Sequence, residues 1–163
     1  MRVLVTGAAG RLGREVVRAF TDDGPVFGLS RAALNVADRK AVHAAVGSCR
    51  PSLVVNCAAW TDVDGCEGDP QRAQRINAVA VGYLSEAAEE VGAHLVQVST
   101  DFVFDGKADV PYREDHPTDP LSVYGAVKLA GEVAAGPSAT VVRTSWLQPA
   151  DAPGMVERLI VAL

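Results

Sequence analysis

Cysteine is scarce in this chain: Cys49, Cys57 and Cys66 stand alone among 163 residues. Their number is odd and their spacing fits no zinc pattern, so neither a disulfide framework nor a zinc site is expected. The thiols read as buried or neutral groups in a reducing cytosol. The three histidines, His43, His94 and His116, are scattered and outline no metal site. Basic clusters are also missing. With 15 Lys and Arg against 20 Asp and Glu the net charge is −5, the wrong sign for a nucleic-acid surface. No apolar run reaches the roughly 18 residues of a membrane helix, and the first residues lack a signal-peptide layout. Internal repeats and low-complexity tracts are absent. What remains is the composition of one globular domain with a real core, and the expected partners are small molecules in the cytoplasm.

Against these absences the first thirteen residues stand out. Val3-Leu4-Val5-Thr6 is a short apolar run that stops at a glycine cluster, Gly7-Ala8-Ala9-Gly10-Arg11-Leu12-Gly13. From Arg11 to about Thr21, Leu12, Val16, Val17, Ala19 and Phe20 recur at helical spacing. A strand therefore feeds a helix through a Gly-x-x-Gly-x-x-Gly turn. Gly7 allows the tight turn, Gly10 a close approach of backbone to a pyrophosphate, and Gly13 close packing of helix on strand. The helix N-terminus offers free N–H groups to phosphate. An ordinary βα turn is the plain alternative, but the context is the one a dinucleotide fingerprint requires.

One more absence bears on the cofactor. Val26 to Leu29 reads as a second strand, ending at Ser30-Arg31. NAD-preferring folds place an acid there for the ribose hydroxyls. Here none is present, and Arg31 could meet a 2′-phosphate, which favours NADPH over NADH; a solvated surface arginine is the other reading.

Asp38 caps a helix to about Ser48, and Pro51 follows it. Residues 52–56 are apolar without alternation, as in a strand buried on both faces. Asp69-Pro70 starts a long helix that ends at Gly92. His94 to Val98 is a fourth strand, closing at Ser99-Thr100-Asp101. A loop fills 105–120, a helix runs from about Leu121 to Ala135, and Ala139 to Arg143 is a fifth strand. Pro149 to Gly154 is a breaker-rich link, and Met155 to Leu163 reads as a short amphipathic helix. The alternation predicts an α/β fold: a doubly wound parallel sheet, Rossmann-like, with about five strands in order 3-2-1-4-5. Residues 1–148 would form the dinucleotide-binding domain and 149–163 a linker and helix. The glycine turn, the loop after Asn56 and Ser99-Thr100 would meet at the carboxyl ends of the strands.

Tyr124 and Lys128 lie four apart, one turn of helix, on one face. A free tyrosine has a pKa of about 10, too high for efficient proton transfer at neutral pH, and a nearby ammonium would lower it. The pair predicts a tuned acid, and the lysine could also hold ribose hydroxyls. Alone, such a pair is more often a plain surface helix; with Ser99-Thr100 and the glycine turn it is far more specific.

Gly7-x-x-Gly10-x-x-Gly13, Ser99-Thr100-Asp101 and Tyr124-x-x-x-Lys128 together resemble an extended short-chain dehydrogenase/reductase. Asn56-Cys57-Ala58-Ala59-Trp60-Thr61-Asp62-Val63-Asp64, Ile76-Asn77-Ala78, the run 99–106, Tyr124-Gly125-x-x-Lys128-x-x-Gly131-Glu132 and Arg143-Thr144-Ser145-Trp146 narrow the resemblance to the dTDP-4-dehydrorhamnose reductase family, from Met1 to about Trp146. The resemblance implies NAD(P)H-dependent reduction of the 4-keto group of a dTDP-linked 6-deoxy sugar. It implies that Gly10, Arg11 and Leu12 cradle the pyrophosphate, that Asn35 and Val36 meet the adenine, and that Ala59, Trp60 and Thr61 line the cofactor. Thr100 would bond the substrate carbonyl oxygen, Tyr124 would protonate it, and Lys128 would bind the nicotinamide ribose. Asp101 and Trp146 would touch the sugar nucleotide. Two departures are visible: asparagine at 35 and Phe102 replace the family's common aspartate and tyrosine.

Family members run to nearly twice this length, and the second half carries most of the sugar-nucleotide pocket. The expected sheet is therefore cut short before the substrate domain, with an apolar edge that favours a homo-oligomer or a fragment. Two further readings stay open: a non-catalytic nucleotide-binding or regulatory module, and an inactive shortened homologue. An epimerase is disfavoured by the Ser-Thr-Asp and Arg-Thr-Ser-Trp strings.

Overall fold

The structure is a computed structural model that describes residues 1–147. The expected link at 149–154, the helix at 155–163 and the domain boundary after 148 lie outside the described residues.

Among the described residues five short strands form one parallel sheet: β1 (Val3–Thr6), β2 (Val26–Leu29), β3 (Leu53–Asn56), β4 (His94–Thr100) and β5 (Thr140–Thr144). Their spatial order is β2-β1-β3-β4-β5. The expected order 3-2-1-4-5 is corrected by this. The chain after β2 turns at 31–38 instead of adding a strand outside β2. The next strand therefore returns to the opposite side of β1, and its register pairs Leu4 with Val54 and Thr6 with Asn56. Strand order thus reverses between β1 and β3, where the carboxyl ends splay and leave a crevice for a ligand.

Alternation along β1 explains the two layers. Leu4 points to one face with Val54 and Leu95, packed against Val42 and Val46 of α2 (Arg39–Cys49) and Val81, Leu84 and Ala88 of α5 (Ala80–Val91), with Ala135 of α6 (Val123–Ala135). Val3, Val5 and Val55 point to the other face, under Val16, Val17 and Phe20 of α1 (Arg11–Phe20). Both faces are covered, so the strands carry the continuous apolar runs seen in the sequence.

The expected long helix from Asp69 to Val91 is built in three pieces. Asp69 caps α4 (Pro70–Gln74), with Pro70 in its first turn. A π-turn, Arg75–Val79, follows and leads into α5, which ends at Gly92 in the left-handed conformation. Such a turn carries one extra residue and re-aims the side chains before it. A short helix without an assignment in the sequence, α3 (Val63–Gly68), precedes it; Asp62 caps it by accepting from the Gly65 amide at 3.0 Å. The other elements fall within a few residues of their expected bounds, and no helix among the described residues is long and apolar enough to cross a membrane.

Candidate active site

The glycine turn is the first wall of the site. Gly7 has φ +64°, and a Cβ there would come within 2.8 Å of the Cys57 carbonyl group and the Ala58 amide at the end of β3. A Cβ on Gly13 would lie 2.3 Å from the Gly7 carbonyl oxygen, so α1 seats directly on the turn. The turn itself is closed by the Gly10 amide donating to Gly7 O at 2.9 Å.

The N-terminus of α1 is open. Asp38, Asp62, Asp69 and Ser122 each cap their helix with a side-chain oxygen, whereas no side chain caps α1 and no acid stands in its first turn. Uncapped amides at a positive helix end beside glycines form a cradle for an anion. The residues present therefore fit the pyrophosphate of a dinucleotide.

Two adjoining clefts open from this turn and share Gly10, Cys57, Ala58 and Ala59. The larger, about 800 Å³, is lined by Arg11, Leu12, Gly13, Thr61, Thr100, Asp101, Tyr124, Lys128 and Trp146. The smaller, about 610 Å³, is lined by Gly7, Arg31, Asn35, Val36 and Trp60. Every residue singled out in the sequence thus lies on one cleft or the other. Several lining residues carried no assignment there: Arg72 and Arg75 on the smaller cleft, Ser99, Phe102 and Ser145 on the larger. Arg72 and Arg75 had no sequence signal beyond being basic, because the π-turn that begins at Arg75 leaves no mark in a hydrophobicity pattern.

A buried polar ladder runs under the larger cleft. The Thr6 hydroxyl donates to Asn56 Oδ1; Asn56 Nδ2 donates to Gln97 Oε1 at 2.7 Å; Gln97 Nε2 donates to Val98 O at 2.7 Å; and Lys128 Nζ donates to the same carbonyl at 2.6 Å. Thr6, Asn56, Gln97 and Lys128 are each at most 4% exposed. Buried polar groups persist when partnered, and this set partners itself across three strands and a helix.

At the centre, Thr100 Oγ1 donates to Asp101 Oδ1 at 3.0 Å and accepts from the Phe102 amide at 3.2 Å. Tyr124 is buried edge-on against Phe102, with ring centroids 5.6 Å apart. Burial pushes its phenol above the ordinary tyrosine range; a hydrogen bond with Thr100 pulls the other way, and the Cys66 and Asp101 charges add to the rise. The expected lowering by Lys128 is corrected. Burial brings the lysine itself down to about 8, against the attraction of Glu132 and Cys57, and one of its ammonium protons goes to Val98 O. Tyr124 is therefore a neutral phenol at pH 7, able to give a proton. Cys57, between the two clefts, is pushed up to about 11 by burial despite the Lys128 charge, so its thiol is not a nucleophile at neutral pH.

Asn35 departs from expectation in another way. Its Oδ1 accepts from the Ala37 amide at 3.1 Å, so the acceptor read as facing adenine is engaged in a local turn. Trp146, at the mouth of the larger cleft, sits in the left-handed region at φ +49°, a conformation that costs energy for a bulky residue.

The sequence matches the RmlD substrate binding domain family over residues 1–161. The chain belongs to that family. Among relatives of the RmlD substrate binding domain, a dTDP-4-dehydrorhamnose reductase from Streptomyces griseus is 46% identical, the match covering 98% of this chain and 54% of that protein. A dTDP-4-dehydrorhamnose reductase structure from Clostridium acetobutylicum superposes with a TM-score of 0.93 at 38% identity, over 99% of this chain and 59% of that one. One from Bacillus anthracis, in complex with NADP, gives 0.91 at 33% identity, over 99% and 59%. The chain spans about half the length of the curated relatives it matches.

Proposed function

We propose that this chain is the cofactor-binding and proton-donating half of an NAD(P)H-dependent reductase acting on the 4-keto group of a dTDP-linked 6-deoxy-4-keto-hexose. One observation carries the reading: Thr100, Tyr124 and Lys128 open into the same cleft as the uncapped N-terminus of α1. A mere nucleotide binder has no use for the first three. The relatives' names supply the sugar.

When bound, the reduced nicotinamide supplies a hydride to the substrate carbonyl carbon. The amides of Arg11 and Leu12 would hold the pyrophosphate; Gly10, whose own amide is taken by Gly7 O, would cradle it by carrying no side chain, and Gly7 and Gly13 would keep the turn flat enough for its approach. Ala59, Trp60 and Thr61, in the loop after β3, would wall the cofactor, with Arg31, Asn35 and Val36 at its adenosine end. The Lys128 ammonium has protons beyond the one on Val98 O and holds the ribose hydroxyls. Thr100 would turn its hydroxyl proton from Asp101 Oδ1 to the substrate carbonyl oxygen, and the neutral Tyr124 hydroxyl would donate a proton to that oxygen as negative charge develops. Asp101 and Trp146 contact the sugar nucleotide at the cleft mouth. The acidic net charge and the neutral-to-basic cleft fit a small anionic substrate rather than a nucleic acid. Among the described residues β5 is the sheet's last strand and its Val142 is exposed, and self-association there belongs to the same reading and is checked by light scattering.

The test is Tyr124→Phe. Turnover of a dTDP-4-keto-6-deoxy sugar should fall by about 10²–10⁴-fold while NADPH and NADH still quench or enhance fluorescence with wild-type affinity. Unchanged turnover overturns the mechanism. Cofactor binding without turnover in the wild type favours the non-catalytic module.

A further inference from the structure

Three polar residues meet beneath the larger cleft in a cluster that the proposed mechanism does not use. Glu132 of α6, its side chain only 8% exposed, holds Arg143 of β5 by both carboxylate oxygens: Arg143 Nε donates to Oε1 at 2.9 Å and Nη2 to Oε2 at 2.7 Å. The Ser99 hydroxyl of β4 donates to the same Oε1. Ser99 and Arg143 are paired neighbours in the β4–β5 register, so one carboxylate bridges two strands and a helix. Glu132 and Arg143 stand behind the lining of the cleft, which Ser99 reaches.

The position of this bridge matters more than its strength. A buried ion pair adds little net stability over packed apolar side chains, whereas its forked geometry fixes direction. Each of the three residues is close in the chain to a residue of the site. Ser99 precedes Thr100, and Glu132 follows Lys128 by about one turn of α6 and Tyr124 by about two. Arg143 precedes Thr144 and Ser145, which line the cleft, and Thr144 Oγ1 donates to Ser99 O at 3.4 Å. The helix therefore meets the sheet through two polar contacts one turn apart: Lys128 on Val98 O, and Glu132 on Ser99 and Arg143. Two such contacts fix the height and the tilt of a helix over a strand. With one alone the helix can pivot, and Tyr124 moves relative to Thr100.

We propose that the Ser99–Glu132–Arg143 bridge is a positioning device for the reduction: it sets the separation of the Tyr124 and Thr100 hydroxyls without touching the substrate. The proposal rests on the reductase reading given above. Ser99 passes the hold of the carboxylate to Thr100 through one peptide unit, and Arg143 aims the carboxylate. Both hydroxyls address one carbonyl oxygen, where a misplacement of about 1 Å costs a large part of the rate. Ser99, Glu132 and Arg143 are thus positioning residues.

The experiment compares the full chain as wild type, Glu132→Gln, Arg143→Lys, Ser99→Ala and Ser99→Thr. With a dTDP-4-keto-6-deoxy sugar, kcat per cofactor-binding site should fall about ten- to hundredfold in the first three variants, with NAD(P)H affinity within about twofold of wild type. The isotope effect from cofactor deuterated at the transferred hydrogen should rise, because the chemical step is the one slowed. Ser99→Thr keeps the hydroxyl and should recover most of the rate. Ser99→Ala should add little to Glu132→Gln, since both cut the same link. Unchanged kcat, or a loss that vanishes when rates are counted per cofactor-binding site, overturns the proposal. If the wild type binds cofactor but reduces no such sugar, the reductase reading fails, and amide exchange at Phe102, whose N–H donates to Thr100 Oγ1, decides the bridge by itself. Faster exchange there in Ser99→Ala, with Val5 unchanged, supports the hold on Thr100; an unchanged rate overturns it.

Discussion

Lys128 of α6 donates from Nζ to the backbone carbonyl of Val98 on β4 at 2.6 Å, at a depth where the lysine is 4% exposed. The helix face that carries it also carries Tyr124, so the bond fixes both against the strand. An ammonium held there must be desolvated, and burial lowers its pKa from 10.5 to about 8.

The sign of the stability effect follows. The folded pKa lies below the unfolded one, so between about pH 8 and 10.5 the unfolded chain binds more protons and stability rises with pH. Below pH 8 the full cost of the buried charge is present, about 3 kcal/mol for that shift. Lys128→Met should therefore be more stable than wild type at pH 7, by about 1–3 kcal/mol, and the gap should close toward pH 10. Urea midpoints of the two proteins at pH 7 and 10 check this. A less stable variant with a gap independent of pH would show that the lysine is not buried as an ammonium.

Asn56 and Gln97 supply the second prediction. Asn56→Leu strands the Thr6 hydroxyl and a Gln97 acceptor, and Gln97→Leu strands an Asn56 donor; each is buried. Each single change should cost about 1–3 kcal/mol. The double variant should cost less than their sum, because each leucine removes the partner that the other would leave unpaired. Denaturant unfolding of the four proteins measures the coupling, and strict additivity would break the ladder into unrelated bonds.

Glu132 binds the Arg143 guanidinium through both its oxygens, at 2.9 and 2.7 Å, and also accepts from the Ser99 hydroxyl. Arg143 reaches on to the Glu114 carbonyl at 3.2 Å and lies over the Phe104 ring, so one ion pair joins α6, β4, β5 and the 105–120 loop. Glu132→Gln keeps the shape and removes the charge. It should cost about 1.5–3 kcal/mol and speed amide exchange around Glu114. Because Glu132 holds the Lys128 pKa up, the variant should also lower it further below 8. Exchange rates identical to wild type at Glu114 would show that the loop is not tied through this pair.

Much of this architecture was legible because local signals agree with the global fold. The β1–α1 unit reads directly from an apolar run, glycines and a helical period, and Asp38, Asp69 and Gly92 mark helix ends by their own chemistry. Strand order was not legible. Which side of β1 receives β3 depends on whether residues 31–38 form a strand, and a turn there leaves the same apolar residues, Leu34 and Val36, in the core. The direction of the Tyr124 shift was also hidden. Spacing places a tyrosine beside a lysine, but whether burial or charge wins depends on packing against Phe102 and on the carbonyl that takes the ammonium. Arg72 and Arg75 were invisible because nothing in their local pattern marks which side of α4 and of the π-turn faces the cleft.

Gly13 sets two known effects against each other. Alanine is the better helix former, by about 1 kcal/mol within a helix, and on propensity alone Gly13→Ala should stabilise α1. A Cβ at that position would stand 2.3 Å from the Gly7 carbonyl oxygen and 2.8 Å from the Ala8 Cα, all backbone that cannot rotate away. Relief requires α1 to lift from the turn, away from Val3 and Val5, which lie under Val16 and Val17. Overpacking of this kind costs about 1–3 kcal/mol or more, so the clash wins and the net change is destabilising. The same lift moves the open helix N-terminus away from its anion, so NADPH and NADH affinities should fall together, at least tenfold, without altering the preference between them. Thermal melts with parallel cofactor titrations decide it; a stabilised variant with wild-type affinity would mean that α1 does not seat on the Gly7 carbonyl.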